Sequence, residues 1–212
     1  MGIDRFSPIA AALMLALSAW APAAALDMRG ETIYMIMVDR FFDGDPANNT
    51  AVNPNQYSPD QSEWGKYFGG DLEGIRQKLD YLQSVGATAI WITPVCENDP
   101  YLLAGGAPYH GYDMMDLYRV EPHFGAWPVF DAVADGLHSR GMKLILDVNL
   151  NNGGYTGSGN LCRMYKDGLP KADYNRDYQD WYHHLGTMPQ DKWDDPYWML
   201  NANIFGMADL NQ

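Results

Sequence analysis

At 212 residues, with a net charge of −13 and 47% hydrophobic residues, the chain has the composition of a packed globular protein rather than of a disordered segment or a membrane bundle. The acidity argues against a nucleic-acid partner, because phosphates are repelled and no run of Lys and Arg offsets the charge. Asp and Asn in surplus suit hard cations bound through oxygen, although acidity also serves solubility.

In chain order, Ile9 to Ala19 is an apolar run too short to span a bilayer, and Ala23-Ala24-Ala25 follows as a small-residue cleavage site. A signal peptide over residues 1–25 is expected, giving a secreted or periplasmic protein with no membrane association after cleavage; a buried N-terminal helix is the alternative. Thr32 to Val38 reads as a buried strand that ends at Asp39-Arg40, before a long Asn/Asp/Gly/Pro loop to about Gly70. Leu72, Ile75, Leu79, Leu82 and Val85 then recur at helical spacing, with Asp71 as N-cap and Gly86 as stop. A second strand runs from Ala87 to Thr93, and a loop from Cys96 to Gly125 follows it. Phe130, Val133 and Leu137 mark the next helix, and Lys143 to Val148 the third strand.

Strands alternating with helices imply a parallel sheet with right-handed crossovers. The fold class expected is α/β, with residues 26–148 forming the N-terminal part of a (β/α)8 TIM barrel and loops after strand C-termini carrying the chemistry. From Asn149 to Gln212 the periodicity dissolves into a Gly, Asn, Asp, Trp and Tyr-rich stretch, read as an irregular inserted domain after strand three. Three units cannot close a barrel that takes ~250 residues, so the chain is read as a fragment. Cys96 and Cys162 can pair in an oxidising compartment if the fold brings them together, and their spacing gives no support for zinc.

Several clusters carry possible chemistry. The loop from Asp39 to Asn49 concentrates oxygen ligands around the bends at Gly44 and Pro46, which suits calcium, or a set of Asx turns with no metal. It is no EF-hand, since Pro54 stands where the bidentate Glu is required. Tyr109-His110-Gly111-Tyr112 offers an aromatic platform for a pyranose and an imidazole for its hydroxyls, or else packs into the core. Glu97, Asp113, Asp116 and Asp147 are carboxylates at suitable loop positions, but no pair among them is assignable as the acid and nucleophile of a glycosidase. His183-His184, with Trp181, Tyr182 and Trp193, reads as subdomain packing or as part of a glycan groove.

Together these segments resemble the α-amylase superfamily, glycoside hydrolase family 13, from about Glu31 to Gln212. Asp39 to Asn49 followed by Gly69-Gly70-Asp71 is similar to the calcium loop of cyclodextrin glucanotransferases and related bacterial amylases. That resemblance implies ligands at Asp43, Asp45, Asn48, Asn49, the Gly69 carbonyl and Asp71. Tyr109 to Tyr112 resembles the family's YHGY segment, implying that Tyr112 stacks on the sugar at the cleavage subsite. Asp147 to Asn152 resembles the first signature region, with Asp147 a structural acid near the substrate and Asn151 a ligand of a calcium between barrel and inserted domain. Met207 to Asn211 resembles the signature near the end of that domain, implying Asp209 as a second ligand.

Two positions depart from the pattern: Asn152 stands where the family has a substrate-binding histidine, and Asp113 where a tryptophan is frequent. Asn still hydrogen-bonds but carries no positive charge. The resemblance implies a retaining enzyme on α-linked glucans such as starch and maltooligosaccharides, whose nucleophile and acid/base are expected beyond Gln212. A non-catalytic glycan-binding protein on the same fold is the rival reading.

Overall fold

Three short parallel strands organise the first part of the chain in this computed structural model, which describes residues 27–100, 106–156, 162–176 and 181–211. The expected signal peptide lies outside the described residues. Met1–Glu31 and Thr32–Gln212 are separate units; in the first, Asp27 and Arg29 form an exposed ion pair at 2.8 Å.

Strands β1 (Ile33–Ile36), β2 (Ala89–Ile92) and β5 (Lys143–Leu146) lie in the order β1-β2-β5, with Ile33, Ala89 and Lys143 in one row and Ile36, Ile92 and Leu146 in another. Strand side chains alternate between faces, so Ile36, Ile90 and Ile92 enter the main core with Tyr34, Leu144 and Leu146 partly buried against it. Helices α1 (Leu72–Gln77), α2 (Leu79–Ser84) and α3 (Trp127–Ser139) supply Leu72, Ile75, Leu79, Leu82, Val133 and Leu137 to that core. The other face leaves Ile33, Met35 and Trp91 exposed. Among the described residues the sheet is open and closes no barrel.

The structure corrects several boundaries. Strand β1 stops at Ile36 because Val38–Arg40 turns into a 3₁₀ segment, and β2 and β5 are shorter than the expected 87–93 and 143–148. The helix expected from Leu72 to Val85 is two helices meeting at Lys78, whose N–H donates to the Ile75 carbonyl at 3.0 Å in a 3₁₀ bond. One tightened turn leaves the apolar stripe on the same face. Asp71 does cap the first helix, accepting the Gly74 N–H at 2.6 Å, and Gly86 at φ +83 ends the second.

The stretch from Cys96 to Gly125 is not simply a loop: it contains β3 (Cys96–Asn98) and β4 (Met114–Val120), an antiparallel pair. Their sheet continues through β7 (Arg163–Lys166) and β8 (Leu169–Asp173), in the order β3-β4-β7-β8. The sequence pattern hid β4 because a fully buried inward position is Asp116, whose carboxylate accepts the N–H groups of Tyr118 (2.8 Å), Asp167 (3.2 Å) and Gly168 (2.6 Å). Beyond Asn149, β6 (Asn152–Tyr155) pairs antiparallel with β9 (Met207–Asp209), and a one-turn helix α4 (Pro196–Met199) precedes β9. A second small core of Cys162, Met164, Ala172, Tyr182 and Ala208 holds this region. Cys96 and Cys162 are both buried and free, so the pairing considered above does not form. Burial pushes the Cys162 thiol up to about 11.

Candidate functional site

The polar groups gather where the parallel strands end. Asp147 is the first residue after β5, its N–H tied to the Ile92 carbonyl at 3.0 Å, and its Oδ2 accepts the Tyr112 hydroxyl at 2.7 Å. Burial, with the carboxylate beside it, pushes the phenol up to about 12, so Tyr112 remains a donor at all working pH values. The Tyr112 N–H donates to His110 Nδ1 at 3.1 Å, leaving the ring proton on Nε2, which lies 3.9 Å from Asp113 Oδ2. Burial and the nearby Arg40 guanidinium hold His110 below its ordinary pKa, hence neutral. Gly111, at φ +88, lets this turn cross the end of β2, since a Cβ there would enter the Pro94 carbonyl.

Arg40 supports the turn from beneath. Its guanidinium is sandwiched between the rings of Phe68 (3.6 Å) and Tyr109 (3.9 Å) and donates to the carbonyls of Lys66 and Trp64. It also pairs with Asp39, a buried carboxylate that accepts the Phe68 and Gly69 N–H groups and is pushed up to about 6 by desolvation. Asn152 is placed differently from Tyr112 and His110: its amide donates to the Gly153 carbonyl at 3.1 Å and approaches Met207 Sδ at 3.2 Å, facing β9. Of the other carboxylates, Glu97 pairs with Arg119 at 3.2 Å, Asp116 is committed to the β7–β8 turn, and Asp113 is pushed up to about 6 by burial and by Asp99.

The Asp43–Asn49 loop folds onto Asp71. That fully buried carboxylate accepts from Gly44 N (3.1 Å), Asp45 N (2.9 Å) and Asn48 Nδ2 (3.0 Å) as well as from Gly74 N. Asn49 Nδ2 donates to Asp43 Oδ2 at 2.8 Å and to the Tyr57 hydroxyl at 3.1 Å. Gly69, at φ +95, lies so close that a Cβ would stand 2.6 Å from Asn49 Oδ1. Asp43 Oδ1, Asn48 Oδ1 and Asn49 Oδ1 are buried with no hydrogen-bond partner. All three are acceptors of the type calcium takes, and burying an oxygen unpaired costs about 1–3 kcal/mol. The donor set therefore fits a hard cation, with Asp45, exposed and bonded to Ala47 N at 3.2 Å, the least committed member. No three His, Cys, Asp or Glu side chains converge among the described residues, so amide and main-chain oxygens would have to share the coordination.

The second expected cation set also comes together. Asn151 Nδ2 donates to Asp209 Oδ1 at 3.3 Å, and the Leu210 N–H donates to the Asn151 carbonyl at 2.9 Å. Asp209 is 2% exposed, and burial raises its pKa against the opposing pull of His183.

A profile of the family described as "Alpha amylase, catalytic domain" matches residues 35–206. The chain belongs to the α-amylase family. It is 40% identical over 193 residues to a cyclomaltodextrin glucanotransferase of Klebsiella oxytoca, a match covering 88% of this chain and 29% of that protein. It is 36% identical over 188 residues to a beta/alpha-amylase of Paenibacillus polymyxa, covering 87% of this chain and 14% of that one. Among solved structures, a cyclomaltodextrin glucanotransferase with a three-domain ABC distribution superposes with a TM-score of 0.80 at 38% identity, over 86% of this chain and 38% of that one. The chain thus spans well under half the length of these relatives.

Within this α-amylase-family scaffold, three features had little or no signature in the sequence. Arg40 reads there as a strand-end cation, and only its stacking between Phe68 and Tyr109 shows that it supports the Tyr/His turn. His183 reads as packing, yet its ring meets Asp209. Phe205 is 73% exposed, sits at φ +52, and places its ring 5.4 Å from that of Trp193. A bulky residue kept in the left-handed region is a local cost that functional segments frequently carry.

Proposed function

We propose that the protein is an exported, calcium-binding member of the α-amylase family that acts on α-linked glucans as a hydrolase or transglycosylase. The observation that carries this reading is the Tyr112–Asp147 hydrogen bond at 2.7 Å, which fixes an aromatic ring at the polar end of the parallel sheet. In that position the ring offers its face to the apolar side of a pyranose. His110, neutral with its proton on Nε2, donates to a sugar hydroxyl, whereas Asn152, standing where the family has a histidine, spends its amide on the Gly153 carbonyl and adds no donor there.

Retaining chemistry on this scaffold needs two carboxyl groups, one attacking the anomeric carbon and one protonating the leaving oxygen, with roles reversed for water or an acceptor sugar. Asp39, Asp71, Asp116 and Asp209 are each occupied by main-chain N–H groups or by Arg, Asn and His side chains, so none of them is assigned to that work. Asp43, Asn48, Asn49, the Gly69 carbonyl and Asp71, with Asp45, would hold one calcium ion, and Asn151 with Asp209 another. Calcium there supplies charge compensation that locks the loops around the strand ends. No helix of the described residues is long and apolar enough to cross a membrane.

Calorimetric titration of the calcium-loaded protein with maltoheptaose, alongside chromatography of any products, tests the reading. Binding that weakens at least about 5-fold in Y112A supports it, since ring stacking on a ligand contributes about 1 kcal/mol or more. Absence of binding to any maltooligosaccharide overturns it. Asn152 favours one rival, a glycan-binding protein without catalysis, and glucan binding with no product from the full-length protein would select that rival.

A further inference from the structure

Of the adjacent histidines, His183 has a partner that the proposed function does not use. The end of β9 and the residues after it run between two neighbours. Asn152 is aligned with Asp209 on one side, and on the other Tyr182 bridges Leu210, with His183 N–H donating to the Asp209 carbonyl at 3.1 Å and Asn211 N–H to Trp181 at 2.9 Å. Because side chains alternate along an extended segment, His184 turns away and packs its ring 4.7 Å from Tyr174, while His183 faces Asp209. The His183 Nδ1–H donates to Asp209 Oδ2 at 2.7 Å.

We infer that His183 is a positioning residue for the cation that Asn151 and Asp209 would hold, an inference that rests on the calcium reading above. Groups hydrogen-bonded behind a metal ligand fix its orientation and contribute strongly to affinity. Here Asp209 is held from behind: Oδ2 by His183, the N–H by Asn203 Oδ1 at 3.2 Å and the carbonyl by the His183 N–H, so that Oδ1, which meets Asn151 only at 3.3 Å, is the oxygen turned toward the cation. The choice of side chain matters. An imidazole supplies an N–H without a fixed positive charge, whereas Lys or Arg would neutralise the carboxylate and repel the incoming cation.

The test is calorimetric titration of calcium into the metal-stripped protein, in a D43A background so that the Asn151–Asp209 site alone reports. We expect H183A to weaken binding about 10- to 100-fold, and H183N, which keeps an N–H donor, to stay within about 3-fold of the parent. Unchanged affinity in H183A, with binding lost in D209N, would overturn the inference and leave the calcium reading standing. Unchanged affinity in D209N would remove the calcium assignment itself, and the inference with it. Equal losses in H183A and H183N, accompanied by a lower melting temperature in chelator, would show a fold defect and also overturn the positioning role.

Discussion

Removing calcium should loosen the Asp43–Asn49 loop measurably. Three buried oxygens there, Asp43 Oδ1, Asn48 Oδ1 and Asn49 Oδ1, have no hydrogen-bond partner within the protein. At about 1–3 kcal/mol each they would sum to about 3–9 kcal/mol, comparable with the whole stability of an ordinary domain. A metal-free loop therefore relaxes to admit water, and most of that cost is recovered only when the cation binds. At a free calcium concentration ~100 times the dissociation constant, linkage adds ~2.7 kcal/mol, which for a chain of this size raises the melting temperature by about 5–11 °C. Scanning calorimetry in calcium, in chelator and in magnesium measures it; magnesium should give much less, because it sheds its water reluctantly and demands strict octahedral geometry. D43A should erase most of the calcium increment. Melting curves that coincide in calcium and chelator would refute the reasoning, because the orphaned oxygens would then be satisfied by the protein and solvent alone.

Asp71 should be the least replaceable residue of that loop: D71A strands four donors and removes a helix cap, costing about 3–5 kcal/mol by urea unfolding, while D71N keeps one acceptor oxygen and should cost roughly half as much. Asp113, 7% exposed with its pKa at about 6, binds a proton more tightly folded than unfolded. Its contribution to stability is therefore fully present below the unfolded pKa of ~4 and is lost as pH rises through about 6, so D113N should remove on the order of 2 kcal/mol of pH dependence between pH 4 and 7. An unfolding free energy with the same pH profile in wild type and D113N would contradict that assignment. G111A should destabilise by about 2–3 kcal/mol, since an L-residue at φ +88 is strained and its methyl meets the Pro94 carbonyl.

The βα alternation was legible because its residues repeat with the right periods: Leu72, Ile75, Leu79 and Leu82 are all buried, and the three strands stand where their apolar runs lie. The Asp43–Asn49 loop and the Tyr/His turn were legible as local composition, since both are contiguous. What escaped was set by tertiary partners. Asp116 breaks the alternation of β4 because the turn of another hairpin supplies its hydrogen bonds. The short strands β6 and β9 are only four and three residues long and include Asn, Gly and Asp, so no periodicity marks them. His183 acquired a role only when the register beside β9 set it against Asp209. Arg40 did so only when Phe68 and Tyr109 closed over its guanidinium.

The most direct test is a crystal structure of the protein grown with calcium and a maltooligosaccharide. A glucosyl ring stacked on Tyr112, with its hydroxyl still on Asp147, and a cation bound by Asp43, Asn48 and Asn49 oxygens are the expected result. Sugar bound away from Tyr112, with water alone in the Asp43–Asn49 loop, would contradict it.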